Sequence, residues 1–420
     1  MRNCGEWSHS GWARATTSSY APLMPDPLDD FDALVGAATD EMVDTRRDLH
    51  EHPELGFQEH RTTTVVTDRL DSIGLARRPC PTPTGAVYEL VGAKPGKTVL
   101  LRADLDALPV QEAASSSLAS KTDGLMHACG HDAHTAAMLG VARVLSARRD
   151  ELAGRFVFVF QPAEESLGGG KAMVDGGVLD GLDASATIGC HVTTMAPVGI
   201  VATREGVLMA EVHSFTVTAR GSGGHGATAG ASGNVLLAVA QLATELGAVV
   251  DGLSHDGTAC ACSAGMLAAG TAPNVVPSVA SLRGTLRTFS DAQTSAAVAE
   301  LERRCEVLAA AYDAQLTVHL DDHAPAVVND GAAVDVVLAA ARRVVGEGAA
   351  LTIPPVTPSD DVSEFLNRVP GCYFFVGAAR PDGTSGAHHS PAFALDEGCL
   401  GIAASVLSIA AVELARLTAG

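Results

Sequence analysis

Apolar positions along this chain fall into two textures. In the first part, compact apolar runs at 86–91, 98–103, 155–160 and 186–190 show no inside–outside alternation. Between and around them, residues 30–49, 59–73 and 134–148 carry a helical period, and a further helix starts at Gly168-Gly169-Gly170. Continuous apolar strands separated by helices predict a buried, mostly parallel sheet of the α/β class. From about residue 210 the texture changes. Residues 211–219 alternate as a half-buried strand, and the glycine-rich turn 221–226 follows. Next come a helix to about 253, strands at 262–267 and 280–288, a helix over 291–312 and a strand over 315–320. That order predicts a small α+β, ferredoxin-like unit. Helix 332–345, strand 372–376, loop 388–391 and a last helix from Asp396 then resume the first texture. The expected organisation is therefore residues 28–209 with 324–420 as one domain and 210–323 as an insertion in it.

Length and composition narrow this further. A chain of 420 residues exceeds one ordinary core, so two domains are expected. With 47% hydrophobic residues but only 4% aromatic, small aliphatic side chains must fill the cores. The net charge of −21 and the near absence of lysine exclude a basic nucleic-acid face and argue against anionic membrane surfaces. Nine cysteines without paired spacing suit a reducing compartment, so a cytoplasmic location is expected. Residues 1–27 are polar and irregular, read as a loose extension, with Met24 a candidate start. The apolar run 400–412 is short and is followed by Glu413 and Arg416, so a packed helix is expected rather than a membrane span.

Candidate chemistry gathers at predicted strand ends. Residues 126–134 (MHACGHDAH) place Cys129 and His131 on a loop before a helix, where thiolate and imidazole together suit zinc or a neighbouring divalent metal. Asp104 and Asp106 follow one strand, Glu164 and Glu165 another, and His191 follows a third at once. Ligands collect outside the carboxyl ends of such strands. Singly, each position has an ordinary structural reading: a core histidine at His191, a solvated turn at Glu164-Glu165, a surface loop at His388-His389. Cys260 and Cys262 stay with the structural reading.

The motifs, taken in order, resemble a known family. They are residues 46–55 (RRDLHEHPEL), 101–109 (LRADLDALP), 126–134, 161–165 (QPAEE), Gly224-His225, 274–277 (NVVP), 284–288 (GTLRT) and 389–391. Together they cover the chain from about residue 40 onward. This set is similar to the amidohydrolase branch of the aminoacylase, glutamate-carboxypeptidase-like metallopeptidase superfamily, which includes hippurate hydrolases, auxin–amino-acid hydrolases and N-acyl-amino-acid amidohydrolases. The resemblance implies two divalent metal ions, Mn2+ or Zn2+, held by Cys129, His131, Glu165, His191 and His389. It implies Glu164 as general base and Asp106 as an acidic position beside the metals that orients a histidine. Asp132 either does similar work or caps its helix. It further implies that His225 reaches a partner subunit's site, and that Asn274 and Arg287 hold the substrate carboxylate.

Two stretches depart from the family pattern. After His225 the usual prolines are missing, with Gly226-Ala227-Thr228-Ala229 and Asn234-Val235 in their place. Ser359-Asp360-Asp361-Val362 stands where relatives carry Glu-Asp-Phe. Lid stiffness and substrate preference are the properties these changes touch. The expected activity is hydrolysis of a small N-acyl amino acid by a homodimer joined through the inserted lid and dimerisation domain. An exopeptidase acting on dipeptides, a thiol hydrolase using Cys129 and a non-catalytic metal-fold binding protein are the alternatives.

Overall fold

The computed structural model describes residues 30–113, 118–166, 168–227 and 233–416; the extension at 1–27, with Met24, and Thr228 and Ala229 lie outside the described residues. The central sheet has eight strands in the order Ala76–Arg78, Ala86–Val91, Ala153–Gln161, Lys94–Asp104, Ala184–Pro197, Gly371–Ala379, Val201–Thr203, Ala350–Thr352. Its middle is parallel: Lys94–Asp104 pairs in parallel with both neighbours, and Ala184–Pro197 with Gly371–Ala379. Antiparallel pairs flank this middle on both sides.

Alternation along Lys94–Asp104 divides the core. Val99, Leu101 and Ala103 face helices Phe31–Glu51, His131–Ala147, Gly331–Val345 and Gly398–Arg416, while Leu100 faces the opposite cluster with Met173 and Phe365. Helix Gly398–Arg416 is long and apolar enough to cross a bilayer, yet 78% of its apolar window is buried inside the protein. It packs as a core helix against the other three of its layer.

Residues 211–324 build a second, four-stranded antiparallel sheet. Its order is Ala261–Ala269, Val279–Thr288, Glu211–Arg220, Gln315–Ala324. Helices Val235–Glu245 and Asp291–Tyr312 close a separate core over Phe215, Val217 and Leu282. In chain order this is strand-helix-strand-strand-helix-strand with the first strand inside, a ferredoxin-like arrangement. The first helix is shorter than its periodicity predicts: it stops at Glu245, and a 3-10 turn carries the chain to Val249.

Two further boundaries differ from the sequence pattern. His131 is not on a loop but opens its helix, because Gly130 turns the chain at a φ of 93°. Any Cβ at Gly130 would also stand 2.5 Å from Val192 Cγ2, so only glycine fits that start. Nor does His191 follow its strand; it lies inside Ala184–Pro197, because pairing with Gly371–Ala379 continues through Phe375 opposite His191. Pairing with Lys94–Asp104 has already ended at Gly189. His191 therefore sits where the strand has lost one neighbour and opens towards the cleft.

Arg102 shares its face with Leu100 and is buried. Its guanidinium donates to Asp104 (2.7 Å), Gln161 (2.8 Å) and Asp361 (3.0 Å), and lies 3.1 Å from Asp360. One cation thus stands among three buried acids. Removing one partner from a buried charge network typically costs about 3–5 kcal/mol. Arg102→Met is expected to lower unfolding stability by about that amount in a denaturant titration. A loss below about 1 kcal/mol, the scale of an exposed pair, would mean the acids do not need it.

Candidate metal centre

Strand ends and two loops meet at one place because a carboxylate ties them. Asp106 Oδ1 accepts from the Glu164 backbone N–H and Oδ2 from that of Glu165, both at 3.0 Å. Just before them Ala163 takes a φ of 55°, a left-handed turn that aims both glutamates back at the sheet end. The Ala163 N–H donates to buried Glu59 at 2.8 Å, which holds the turn from behind.

Backbone carbonyls set the imidazole tautomers. His131 Nδ1 lies 2.9 Å from the Asp106 carbonyl oxygen, which can only accept, so Nδ1 carries the proton. Its Nε2 lies 3.8 Å from both Glu164 Oε2 and Glu165 Oε1. His191 repeats the device: Nδ1 donates to Val192 O at 2.6 Å, and Nε2 lies 3.4 Å from Cys129 Sγ. The loop of His389 is docked by its own N–H on Ala128 O at 2.8 Å, with a φ of 63°. That places His389 Nε2 3.3 Å from Glu165 Oε1 on the open side of the cleft.

Cys129, His131 and His191 form one cluster, Cys129, Glu165 and His389 a second, and His131, Glu164 and Glu165 a third. The three share members, so all five sequence-derived ligands and Glu164 converge in one pocket. His131 Nε2 and Glu165 Oε1 are buried without a hydrogen-bond partner. Burial, then the charges of Asp360 and Glu165, pushes Glu164 well above the usual carboxylate range. Burial, then Glu165, pushes the Cys129 thiol up as well. Orphaned donor atoms, a soft sulfur, borderline nitrogens and surplus negative charge are what divalent cations of the zinc or manganese kind would satisfy. The residues fit such a pair.

Other side chains support the ligands. His134, in the same motif, is fully engaged: Nδ1 donates to Asp104 at 2.7 Å and Nε2 accepts from Val192 N–H at 2.9 Å. It fixes the backbone next to His191. His388 lies 3.7 Å from Cys129 Sγ through Nδ1 and accepts from Thr194 N–H. Sequence reasoning assigned neither residue a role, although both stand beside proposed ligands. Asp132 neither caps its helix nor touches a ligand; it pairs with Arg46 (2.8 Å) and His50 (2.9 Å) and so binds motif 46–55 to the site. Asp106 accepts from both glutamate backbone N–H groups and its Oδ1 also lies 3.3 Å from His131 Nδ1, so its carboxylate stands beside the histidine it was expected to orient.

The lid positions divide. Arg287, on strand Val279–Thr288, reaches the loop before Asp360 and donates to Thr357 O (3.2 Å) and Ser359 Oγ (3.0 Å). It lies close enough to Glu164 to feel its charge. His225 and Asn274 sit elsewhere, on the ribbon formed by Gly224–His225 and Val275–Val276, where Gly226 N–H donates to Asn274 O. Asn234 caps helix Val235–Glu245 through a bond from Leu237 N–H, so the missing Pro leaves the helix start intact.

Comparison with known proteins agrees with this chemistry. Residues 100–412 match the model of peptidase family M20/M25/M40. The chain is 37% identical over 373 residues to an N-acetylcysteine deacetylase of Bacillus subtilis, covering 88% of this chain and 96% of the relative. It is 33% identical over 382 residues to thermostable carboxypeptidase 1 of Saccharolobus solfataricus, covering 90% and 96%. Among solved structures, a dinuclear metal-binding M20 peptidase of Bacillus subtilis superposes with a TM-score of 0.76 at 34% identity, covering 90% of this chain and 98% of that one. A carboxylate-tied, thiol-containing donor cluster at the ends of a parallel sheet is thus accounted for: the chain belongs to peptidase family M20/M25/M40 and is a metal-dependent amidohydrolase.

Proposed function

We propose that the protein hydrolyses the amide bond of small N-acyl amino acids, with Glu164 as general base. The convergence of Cys129, His131, Glu165, His191 and His389 around buried Glu164 carries this reading. A bound pair of Mn2+ or Zn2+ ions supplies Lewis acidity and a water acidic enough to ionise near neutral pH. Glu164 takes the proton of the attacking water and returns it to the leaving amine. Arg287, facing the cleft from the lid, suits the substrate carboxylate. The deacetylase and carboxypeptidase relatives both cleave C–N bonds at an amino acid, and action on dipeptides is the neighbouring activity.

Homodimerisation is part of the same proposal. Strand Ala261–Ala269 is a sheet edge that exposes Met266 (60%) and Leu267 (46%). An apolar, unpaired edge invites a second copy. Such a dimer would carry the ribbon with His225 and Asn274 towards the partner's cleft.

The decisive experiment is a hydrolysis screen of N-acyl amino acids and dipeptides with and without chelator, followed by add-back of single metals. Activity lost to chelator and restored by one of the two metals is expected; chelator-insensitive turnover would favour Cys129 as a nucleophile. Glu164→Gln should keep full metal content by elemental analysis while turnover falls about 10²–10⁴-fold, as for loss of a general base. His225→Ala should lower turnover by about two to three orders of magnitude with metal content unchanged. Met266→Glu should give a monomer in sedimentation velocity with the same loss, and a fully active monomer would remove the partner's His225 from the reaction.

A further inference from the structure

A second constellation of metal-ligating groups lies away from the cleft, where the four-stranded unit joins the rest of the chain. Glu211 is the first residue of strand Glu211–Arg220, and His213 follows two positions on, so both share one face. His323 stands opposite His213 on strand Gln315–Ala324, near its end. A bulge brings it there. Register passes from Leu320 opposite Phe215 to His323 opposite His213, which is three residues on one strand against two on the other. Without the extra residue, His323 would face away from its partner. The two rings stack with centroids 4.2 Å apart.

Glu211 Oε2 lies 4.0 Å from His213 Nε2 and 3.8 Å from His323 Nε2. All three ligand atoms are within 4.8 Å of one another. Tetrahedral zinc bonds of about 2.0–2.2 Å set ligand atoms about 3.4 Å apart, so each Glu211–histidine separation needs to close by about half an ångström. The other oxygen of Glu211 is already held: Oε1 accepts from Thr288 Oγ1 at 2.7 Å and from Thr294 Oγ1. Metal-binding carboxylates are typically oriented in this way by an outer partner. Burial opposes ionisation of Glu211, but the nearby His323 and hydrogen bonds from Thr294 and Thr288 bring it down to about 2, so it is a carboxylate. Burial, then His323, lowers His213 and keeps its imidazole neutral, as a ligand must be. The side chain of His323 is 42% exposed, which leaves an approach from solvent and room for a water as fourth ligand.

We propose that Glu211, His213 and His323 form a further metal site, for a divalent ion of the zinc class, separate from the catalytic pair. Two imidazoles and one carboxylate are a borderline donor set that favours such ions over calcium or magnesium. Its place gives it a function. The chain enters the four-stranded unit at Glu211, just after Ala210 N–H bonds Val356 O, and leaves it at Ala324. A metal bridging 211, 213 and 323 clips the two crossings together and stiffens the hinge that sets the height of Arg287 over the cleft.

Cobalt titration of the chelator-treated protein tests this, because the two kinds of site absorb differently. Cobalt bound by the Cys129 thiolate gives near-ultraviolet charge-transfer absorption; a site of nitrogen and oxygen ligands adds only visible ligand-field bands. The wild type is expected to bind one equivalent more than His323→Gln, and the missing equivalent is the one without thiolate absorption. Zinc should likewise raise the unfolding temperature of the wild type by more than that of the variant. His213→Asn, on the neighbouring strand, should give the same loss if His323→Gln does not accumulate folded. Equal stoichiometry and equal zinc response in wild type and variants overturn the proposal, and the cluster is then an imidazolium–carboxylate pair. Loss of the thiolate band with the extra equivalent retained would count against the catalytic reading alone.

Discussion

One carboxylate organises the cleft. Asp106 leaves the end of the central strand Lys94–Asp104, and both of its oxygens are consumed by consecutive backbone N–H groups at Glu164 and Glu165. Its carbonyl oxygen takes the proton side of His131. A single residue therefore fixes Glu164, Glu165 and the His131 imidazole relative to each other. A charge-assisted bond to a backbone N–H is about twice as strong as a neutral one, so this tie is rigid without any metal present. Cations bound there would meet a frame that is already set, as the precision of a catalytic site requires.

Charge is the second constraint, and it is distributed by layer. Below the cleft, Arg102 is surrounded by Asp104, Asp360 and Asp361, and its pKa stays well above the usual value despite burial, because burial is outweighed first by Asp360 and then by Asp104. One guanidinium cannot neutralise three carboxylates. The remainder acts on Glu164, whose pKa is raised first by burial and next by Asp360. Divalent ions held at the pocket would oppose that field and so suit Glu164 to the role of base proposed for it. The departure at Ser359-Asp360-Asp361-Val362 thus has a structural meaning: both aspartates belong to the floor, with Tyr373 OH donating to Asp360 at 2.7 Å and Gly170 N–H to Asp361 at 2.7 Å.

Much of this was readable in the residues, for a physical reason. Short unalternating apolar runs bounded by turns read as strands covered on both faces, and strands of that kind deliver their following residues to one edge; Asp106, Glu164 and Glu165 were placed by that logic alone. What escaped depends on contacts between distant segments. His191 was read as following its strand because the apolar run stops at Cys190, yet pairing with Gly371–Ala379 carries the strand on. His131 was read as a loop residue because periodicity is weak at a helix start; the left-handed Gly130 decides it. His134 and His388 carry no spacing signal that separates ligand from support. The Glu211–His213 alternation was visible, but His323 joins it only through a bulge, and a one-residue register change leaves no mark in a sequence of that length.

Arg287 joins the lid to the loop that leads into the floor. Arg287 Nη1 donates to both Thr357 O and Ser359 Oγ, two neutral acceptors in the loop that leads to Asp360. A substrate carboxylate offers the same guanidinium charge-assisted, bidentate bonds, which are the stronger kind. In the role proposed for Arg287, a substrate carboxylate would compete with this loop for the same guanidinium. That loop is continuous with Asp360 and Asp361, the aspartates that raise Glu164. The proposed carboxylate subsite and the proposed base would therefore be joined by three residues of backbone, 357 to 359, and a change in the height of the lid over that loop would be felt at both.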